Sequence, residues 1–170
     1  MNVYYHAIPT PNGPITAVCD DQHLLMLSWG FNPHEGSKTS RRIGLDKAQW
    51  HAREHPILAE TSRQLAAYFR GEPSPFSLPI RLHGTPFQCH VWQQLQAIPY
   101  GTTLSYAELA SAVGKPTAHR AVANANGANA LPIIIPCHRV IGSDGKLAGY
   151  TGGTHIKQHL LAVEGIQLAT

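Results

Sequence analysis

Three consecutive side chains, Cys137, His138 and Arg139, follow directly on Pro136 and the apolar triplet Ile133-Ile134-Ile135. A thiol attacks as its thiolate, and a neighbouring imidazole or cation favours that form near neutral pH. The triplet reads as a short strand that carries Cys137 to the end of a buried element, and Pro136 breaks the backbone there. Adjacent side chains in an extended segment diverge, so Cys137 and His138 need not touch, and a water between them would serve. A carboxylate on the far imidazole nitrogen would fix its tautomer and stabilise the imidazolium. Glu164, at the end of the last helix, reads by itself as a solvated helix-end charge and could reach His138 only if that helix folds back.

The elements that must position these groups fall into two halves. Residues 2–8 and 14–19 read as strands joined by the turn Pro11-Asn12-Gly13, and Leu24 to Trp29 as a third. The polar stretch from Asn32 to Lys47 reads as an exposed loop. From Pro56 a helical period places Leu58, Thr61, Leu65 and Tyr68–Phe69 on one face, and Gly71 ends it. Pro73 to Pro79 reads as a linker, with a domain boundary near residue 84. In the second half Phe87 to Ala97 is amphipathic, and Pro99-Tyr100-Gly101 stops it. Ser105 and Glu108 have capping-box spacing and open a helix to about Val113. Gly114-Lys115-Pro116 makes a turn, and Thr117 stands as N-cap of a third helix to about Ala125, giving the outline of a helix-turn-helix. Arg120 projects there from a surface of alanines that includes Ala121. Thr154 would cap a last helix built on Ile156, Leu160, Leu161 and Val163, ending before Gly165.

Composition narrows the function classes. The 170 residues are 43% hydrophobic with a formal net charge of +3. Lys and Arg against Asp and Glu stand at 8 to 7 in residues 1–84 and 5 to 3 in residues 85–170, which permits binding to a polyanion without demanding it. Three cysteines, Cys19, Cys89 and Cys137, are too few and too scattered for a disulfide framework and read as reduced thiols. No signal peptide and no run of membrane-spanning length is seen, so a cytoplasmic protein is expected. The spacing of Cys19, His23, His6, His51, His55 and His83 matches no zinc pattern, and no glycine-rich phosphate loop occurs; no metal and no cofactor are expected.

The segment Ile135-Pro136-Cys137-His138-Arg139-Val140 resembles the active-site signature of the O6-alkylguanine-DNA alkyltransferases, in particular their bacterial Ogt-type branch. The resemblance extends through Thr85-Pro86-Phe87, Val91-Trp92, Ile98-Pro99-Tyr100-Gly101, Ser105-Tyr106, Arg120-Ala121-Val122, Asn129, Gly149-Tyr150-Thr151-Gly152-Gly153 and Leu160-Leu161 with Glu164-Gly165. It covers nearly all of residues 85–168, and the first 80 residues only in layout. It implies an α+β protein: an N-terminal α/β domain, residues 1–84, with a small antiparallel sheet of ribonuclease H type, and a mostly helical C-terminal domain, residues 85–170, with a winged helix-turn-helix-like motif. It implies stoichiometric, irreversible alkyl transfer from O6-alkylguanine, and from O4-alkylthymine, in DNA to Cys137.

The same resemblance implies a role for each site residue. Cys137, a water, His138 and Glu164 form a relay; Tyr106 protonates N3 of the base; Asn129 holds the turn before Cys137. Val140, Tyr150 and Thr151 bind the substrate base. Thr117, Arg120, Ala121, Asn124 and Tyr106 meet double-stranded DNA in its minor groove, with Arg120 filling the stack vacated by the flipped nucleotide. A monomer is expected, with cooperativity on DNA left open. Ala130 stands where the family often has proline, and His119 where it has a small residue, close enough to the DNA-facing end to touch a phosphate. Two other readings are a lesion sensor without chemistry, which the presence of Cys137 disfavours, and a cysteine hydrolase, which would leave the helix of Arg120 without purpose.

Overall fold

In the computed structural model, which describes residues 1–150 and 152–168, the chain divides between His83 and Gly84 into two units. The first is organised by β1 (Asn2–Ile8), β2 (Ile15–Cys19), β3 (Leu24–Trp29) and β4 (Gln49–His51), in the order β3-β2-β1-β4. β1, β2 and β3 are antiparallel hairpin neighbours, but β4 joins β1 in parallel through Val3 and Trp50. The sheet is therefore mixed. Every residue of the central β2 is buried, which explains its near-continuous apolar run.

Helix α2 (Pro56–Phe69) covers β1 and β2 with Leu58, Thr61, Leu65 and Tyr68, the face anticipated from the sequence. Its start combines Pro56 in the first turn with His55, whose Nδ1 accepts the Ile57 N–H at 3.1 Å. The polar stretch 32–47 is not a bare loop. It holds α1 (Lys38–Arg42), opened by a capping box between Ser37 and Ser40, and a 3-10 turn at Leu45–Lys47. Serine in the third helical position did the work of the usual Glu or Gln, so the signal was missed, and Ile43 and Leu45 are buried under it. The proline-rich linker ends by bridging Ile80 to Leu24 at the edge of the sheet.

The second unit contains α3 (Pro86–Gln96), β5 (Leu104–Ser105), α4 (Tyr106–Ala112), α5 (His119–Gly127), a 3-10 turn at Cys137–Arg139, β6 (Val140–Ile141) and α6 (Thr154–Val163). α3 starts on a capping box between Thr85 and Gln88 and buries Val91, Trp92 and Leu95. The Trp92 indole N–H donates to the Ala125 carbonyl at 2.8 Å, tying α3 to α5. Ser105 and Glu108 form the expected capping box of α4. The turn into α5 passes through Gly114 at φ +76°, a conformation that costs a side chain but not glycine. β5 and β6 pair in parallel, Leu104 with Val140 and Ser105 with Ile141, so the entrance to α4 and the exit from the cysteine turn are bonded together.

Three local expectations are corrected here. Residues 133–135 form no strand. Ile133 sits at φ +74°, the one non-glycine residue with positive φ among those described, and the Ile135 N–H donates to the Leu131 carbonyl at 2.9 Å. A β-branched residue there is strained by about 1–3 kcal/mol; burial of Ile133, Ile134 and Ile135 offsets it, and burial with no more pairing than an isolated bridge between Pro132 and Ile135 is what makes the triplet look like a strand. Thr117 is not the N-cap of α5: Ala118 is, with no side-chain bond, because its own N–H still closes the preceding turn onto Lys115 at 2.9 Å. The helix runs on to Gly127. Gly153, at φ +104°, takes the cap position of α6, and Thr154 becomes its first residue.

Candidate active site

Pro136 lies at φ −79°, ψ 65°, the central residue of an inverse γ-turn, and the Cys137 N–H donates to the Ile135 carbonyl at 2.7 Å. Asn129 braces the same loop. Its Nδ2 donates to the Ile135 carbonyl at 2.8 Å and its Oδ1 accepts the Leu131 N–H at 2.9 Å. Both side-chain functions of Asn129 thus go to backbone, and they hold the turn with Ala130 as the next residue. The result is a cysteine fixed in place, 3% exposed, at the wall of a cavity of about 420 Å³ lined also by Tyr106, Asn126, Gly127, Gly149 and Tyr150. That is a size suited to a small aromatic ligand.

Behind Cys137 the polypeptide buries an ionic cluster. His138 Nε2 and Glu164 Oε2 are 2.5 Å apart, with both side chains fully enclosed. Glu164 Oε1 also accepts from Arg139 Nε at 2.8 Å and from the Gly101 N–H at 3.0 Å. Arg139 completes its fork on the Ile98 carbonyl at 2.7 Å and lies over the Tyr100 ring. Glu164 stands at the C-cap of α6, where the helix dipole disfavours a carboxylate; Arg139 and the Gly101 amide offset that. Gly101 presents its N–H from φ +76°, so the Pro99-Tyr100-Gly101 stop signal is also part of the site. Lys157, on the next-but-one turn of α6, is wholly buried and donates from Nζ to the Val140 carbonyl at 2.6 Å.

Burial pushes the Cys137 thiol above its ordinary pKa, while the Asn129 amide, the Lys157 ammonium and the Tyr150 hydroxyl pull it down. Burial also holds His138 low, against the pull of Glu164 toward the charged form. Lys157 is brought down to about 8 by burial, with Cys137 opposing. Tyr106 is raised by burial and lowered by its contact with Asn126. In the resting site the neutral thiol is favoured, and the groups around it favour the anion once the proton has somewhere to go.

The residues singled out from the sequence fall into three places. Cys137, Tyr106 and Tyr150 line the cavity, and His138, Glu164, Asn129 and Val140 support it from behind. Arg120, Ala121 and Asn124 are exposed on α5, and Thr117 is exposed just before it. Thr151 lies outside the described residues. The His119 ring turns back to the Pro116 carbonyl at 2.8 Å, a local tie rather than a free reach toward a phosphate. Among the described residues no three His, Cys, Asp or Glu side chains converge as a metal set.

Sequence reasoning passed over Asn126, Lys157 and the role of Arg139. Two of these carried a usable signal. Lys157 shares the buried stripe of α6 with Ile156, Leu160 and Leu161, and Asn126 that of α5 with Val122 and Ala125. A polar residue in phase with an apolar stripe is buried with a purpose or a partner.

Comparison with known proteins places this geometry. Residues 3–82 match the 6-O-methylguanine DNA methyltransferase ribonuclease-like domain, and residues 86–166 the 6-O-methylguanine DNA methyltransferase DNA binding domain. A methylated-DNA–protein-cysteine methyltransferase of Mycobacterium leprae is 51% identical over 168 residues, covering 99% of this chain and 96% of the relative. A constitutive one of Bacillus subtilis is 56% identical over 115 residues, 67% of this chain and 70% of the relative. The crystal structure of Mycobacterium tuberculosis OGT in complex with DNA superposes with a TM-score of 0.81 at 40% identity, over 95% of this chain and 92% of that one.

Proposed function

The chain belongs to the 6-O-methylguanine DNA methyltransferase family, and we propose that its Cys137 takes the alkyl group from O6-alkylguanine in double-stranded DNA, once per molecule. The observation that carries this reading is Cys137 at the cavity wall with the buried His138–Glu164 pair behind it. With Nε2 committed to Glu164, Nδ1 is the ring nitrogen that takes the thiol's proton, directly or through one water, and Glu164 stabilises the imidazolium. The thiolate attacks the alkyl carbon in line with the C–O6 bond. A C–S bond forms, the C–O6 bond breaks, and its electron pair passes into the purine. Tyr106 donates its hydroxyl proton to N3, so guanine leaves neutral. A thioether, unlike a thioester, has no easy hydrolytic exit, and the protein is spent.

The lesion must leave the base stack to reach a cysteine that is 3% exposed. The exposed face of α5 is made of small residues around Arg120, which suits close approach to a minor groove and occupation of the vacated stack by the guanidinium. We read Gly84–Thr170 as the DNA-binding and transfer domain and the first unit as its N-terminal companion. O4-alkylthymine is a second substrate, the protein acts as a monomer, and its place is the cytoplasm; no helix among the described residues is long and apolar enough to cross a membrane.

Intact-mass measurement after mixing with a duplex containing O6-methylguanine tests the reading. One added methyl per chain, on the peptide containing Cys137, is expected; an unmodified protein overturns it. Arg120→Ala should slow transfer from duplex by at least about tenfold while leaving reaction with free O6-benzylguanine within about twofold, because only the duplex requires extrusion. Equal losses on both would remove Arg120 from that role.

A further inference from the structure

Asn126 is the polar group of the cavity that the family reaction leaves unused. It is 5% exposed, sits on the inner face of α5 and lines the cavity beside Tyr106 and Cys137. Its Nδ2 lies 3.4 Å from the Cys137 carbonyl oxygen and 3.5 Å from the Tyr106 hydroxyl oxygen. A carbonyl can only accept, so the amide must turn Nδ2 toward it, and this fixes Oδ1 on the other side. That Oδ1 is buried and has no hydrogen-bond partner in the protein. A buried acceptor left unmet costs more than a hydrogen bond normally contributes, so in a binding cavity it points to a donor on the ligand.

The purine supplies one. Alkylation at O6 removes the proton from N1, so the exocyclic 2-amino group is the only hydrogen-bond donor left on the base. That amine and N3 are attached to the same carbon. A base whose N3 meets the Tyr106 hydroxyl therefore carries its amine into the neighbourhood of whatever touches Tyr106. We infer that Asn126 is a specificity residue which reads the 2-amino group of O6-alkylguanine through Oδ1, while its Nδ2 fills the acceptor side of the Tyr106 oxygen and leaves the phenolic proton to point at N3. The inference rests on the proposed alkyl transfer and on Tyr106 as the N3 partner. Its consequence is that the site tells a 2-aminopurine lesion from an otherwise identical purine without the amine.

Single-turnover transfer from two duplexes, one with O6-methylguanine and one with O6-methylhypoxanthine at the same position, tests it. The two bases differ only in the amine. The wild-type protein should react about tenfold faster with the first, since a site built to bond a polar group rejects the analogue lacking it. Asn126→Leu and Asn126→Ala should each bring that ratio to within about twofold, chiefly by slowing the reaction of O6-methylguanine. Equal wild-type rates on the two duplexes overturn the inference without recourse to any variant, and so does a ratio that survives in both variants. Absence of transfer from either duplex to the wild type would instead sink the alkyl-transfer reading beneath it.

Discussion

The two units bury different kinds of polar group. In the first, the enclosed polar side chains are the hydroxyls of Thr16, Ser40 and Thr61; in the second they are Asn126, Asn129, His138, Arg139, Lys157 and Glu164. A hydroxyl is cheaply satisfied by its own helix, as Thr61 is by the Ile57 carbonyl at 2.7 Å and Ser40 by the Ser37 carbonyl at 3.0 Å. Buried charges are costly unless paired, and an apolar replacement of similar volume often serves stability as well or better. An interior chosen for stability alone has no use for four ionisable side chains around one thiol. The cysteines repeat the contrast. Cys19, buried in β2 beside Asp20 and Asp21, is pushed up to about 12 by burial and then by those carboxylates. Cys137 is equally enclosed, yet it faces an amide, an ammonium and a phenol that each favour its anion. Environment, more than exposure, separates the inert thiol from the reactive one.

The sharpest way to break this comparison is to remove each thiol in turn. Cys137→Ser should abolish transfer while leaving affinity for DNA within about threefold, because the groups proposed to meet DNA lie on α5; intact mass and equilibrium binding read the two effects. Cys19→Ser should still acquire one methyl per chain. If the Cys19 variant lost transfer instead, the first unit would not be chemically silent. Next in size is Glu164→Leu. It strips Arg139 of its carboxylate in an enclosed site, and breaking one side of a buried pair costs about 3–5 kcal/mol. Urea unfolding should show that loss, and a value under about 1 kcal/mol would mean that the cluster contributes little to holding the unit together.

Legibility in the sequence follows the same division. Signals confined to one element were readable: the apolar face of α2, the capping box of α4, the stop at Gly101 and the turn into α5. Those that depend on what the chain packs against were not. Ile133–Ile135 is apolar because it is buried, and nothing local distinguishes an enclosed irregular loop from a strand; only Ile133 at positive φ does. The box at Ser37 and Ser40 was hidden because serine stands where Glu or Gln is usual. In the site, Cys137 and His138 could be found from one stretch of chain, and Asn129 and Glu164 only through resemblance to a family; the partners of Glu164 are the distant Gly101, His138 and Arg139. Asn126 and Lys157 were visible as polar residues in apolar phase, yet their meaning needed the cavity and the Val140 carbonyl.

Lys157 provides a pH-dependent sharpening. Its folded pKa of about 8 lies below the 10.5 of a lysine in the unfolded chain. Below pH 8 both folded and unfolded chains carry the proton and the cost of the buried charge is constant. Between about pH 8 and 10.5 the unfolded chain binds the extra proton, so this residue makes stability rise with pH across that window. Lys157→Met removes that contribution, so the wild-type-minus-variant stability difference measured by urea unfolding should increase from about pH 7.5 to about pH 9.5. It should also move the alkaline rise of the transfer rate to higher pH, since the ammonium favours the Cys137 thiolate. An unshifted rate profile would separate Lys157 from the thiol.

The smallest expected effect belongs to the first unit. Thr61→Val keeps the branched shape that packs on the sheet and deletes one hydroxyl whose partner, the Ile57 carbonyl, retains its place in the α2 ladder. No buried group is left unmet, so the change in unfolding free energy should stay within about 1 kcal/mol. The comparison turns on this minor substitution as much as on the drastic ones. If Thr61→Val proved as damaging as Glu164→Leu, the enclosed hydroxyls of the first unit would be as tightly bound into the fold as the charges of the second, and charge burial would no longer mark where the chemistry lies.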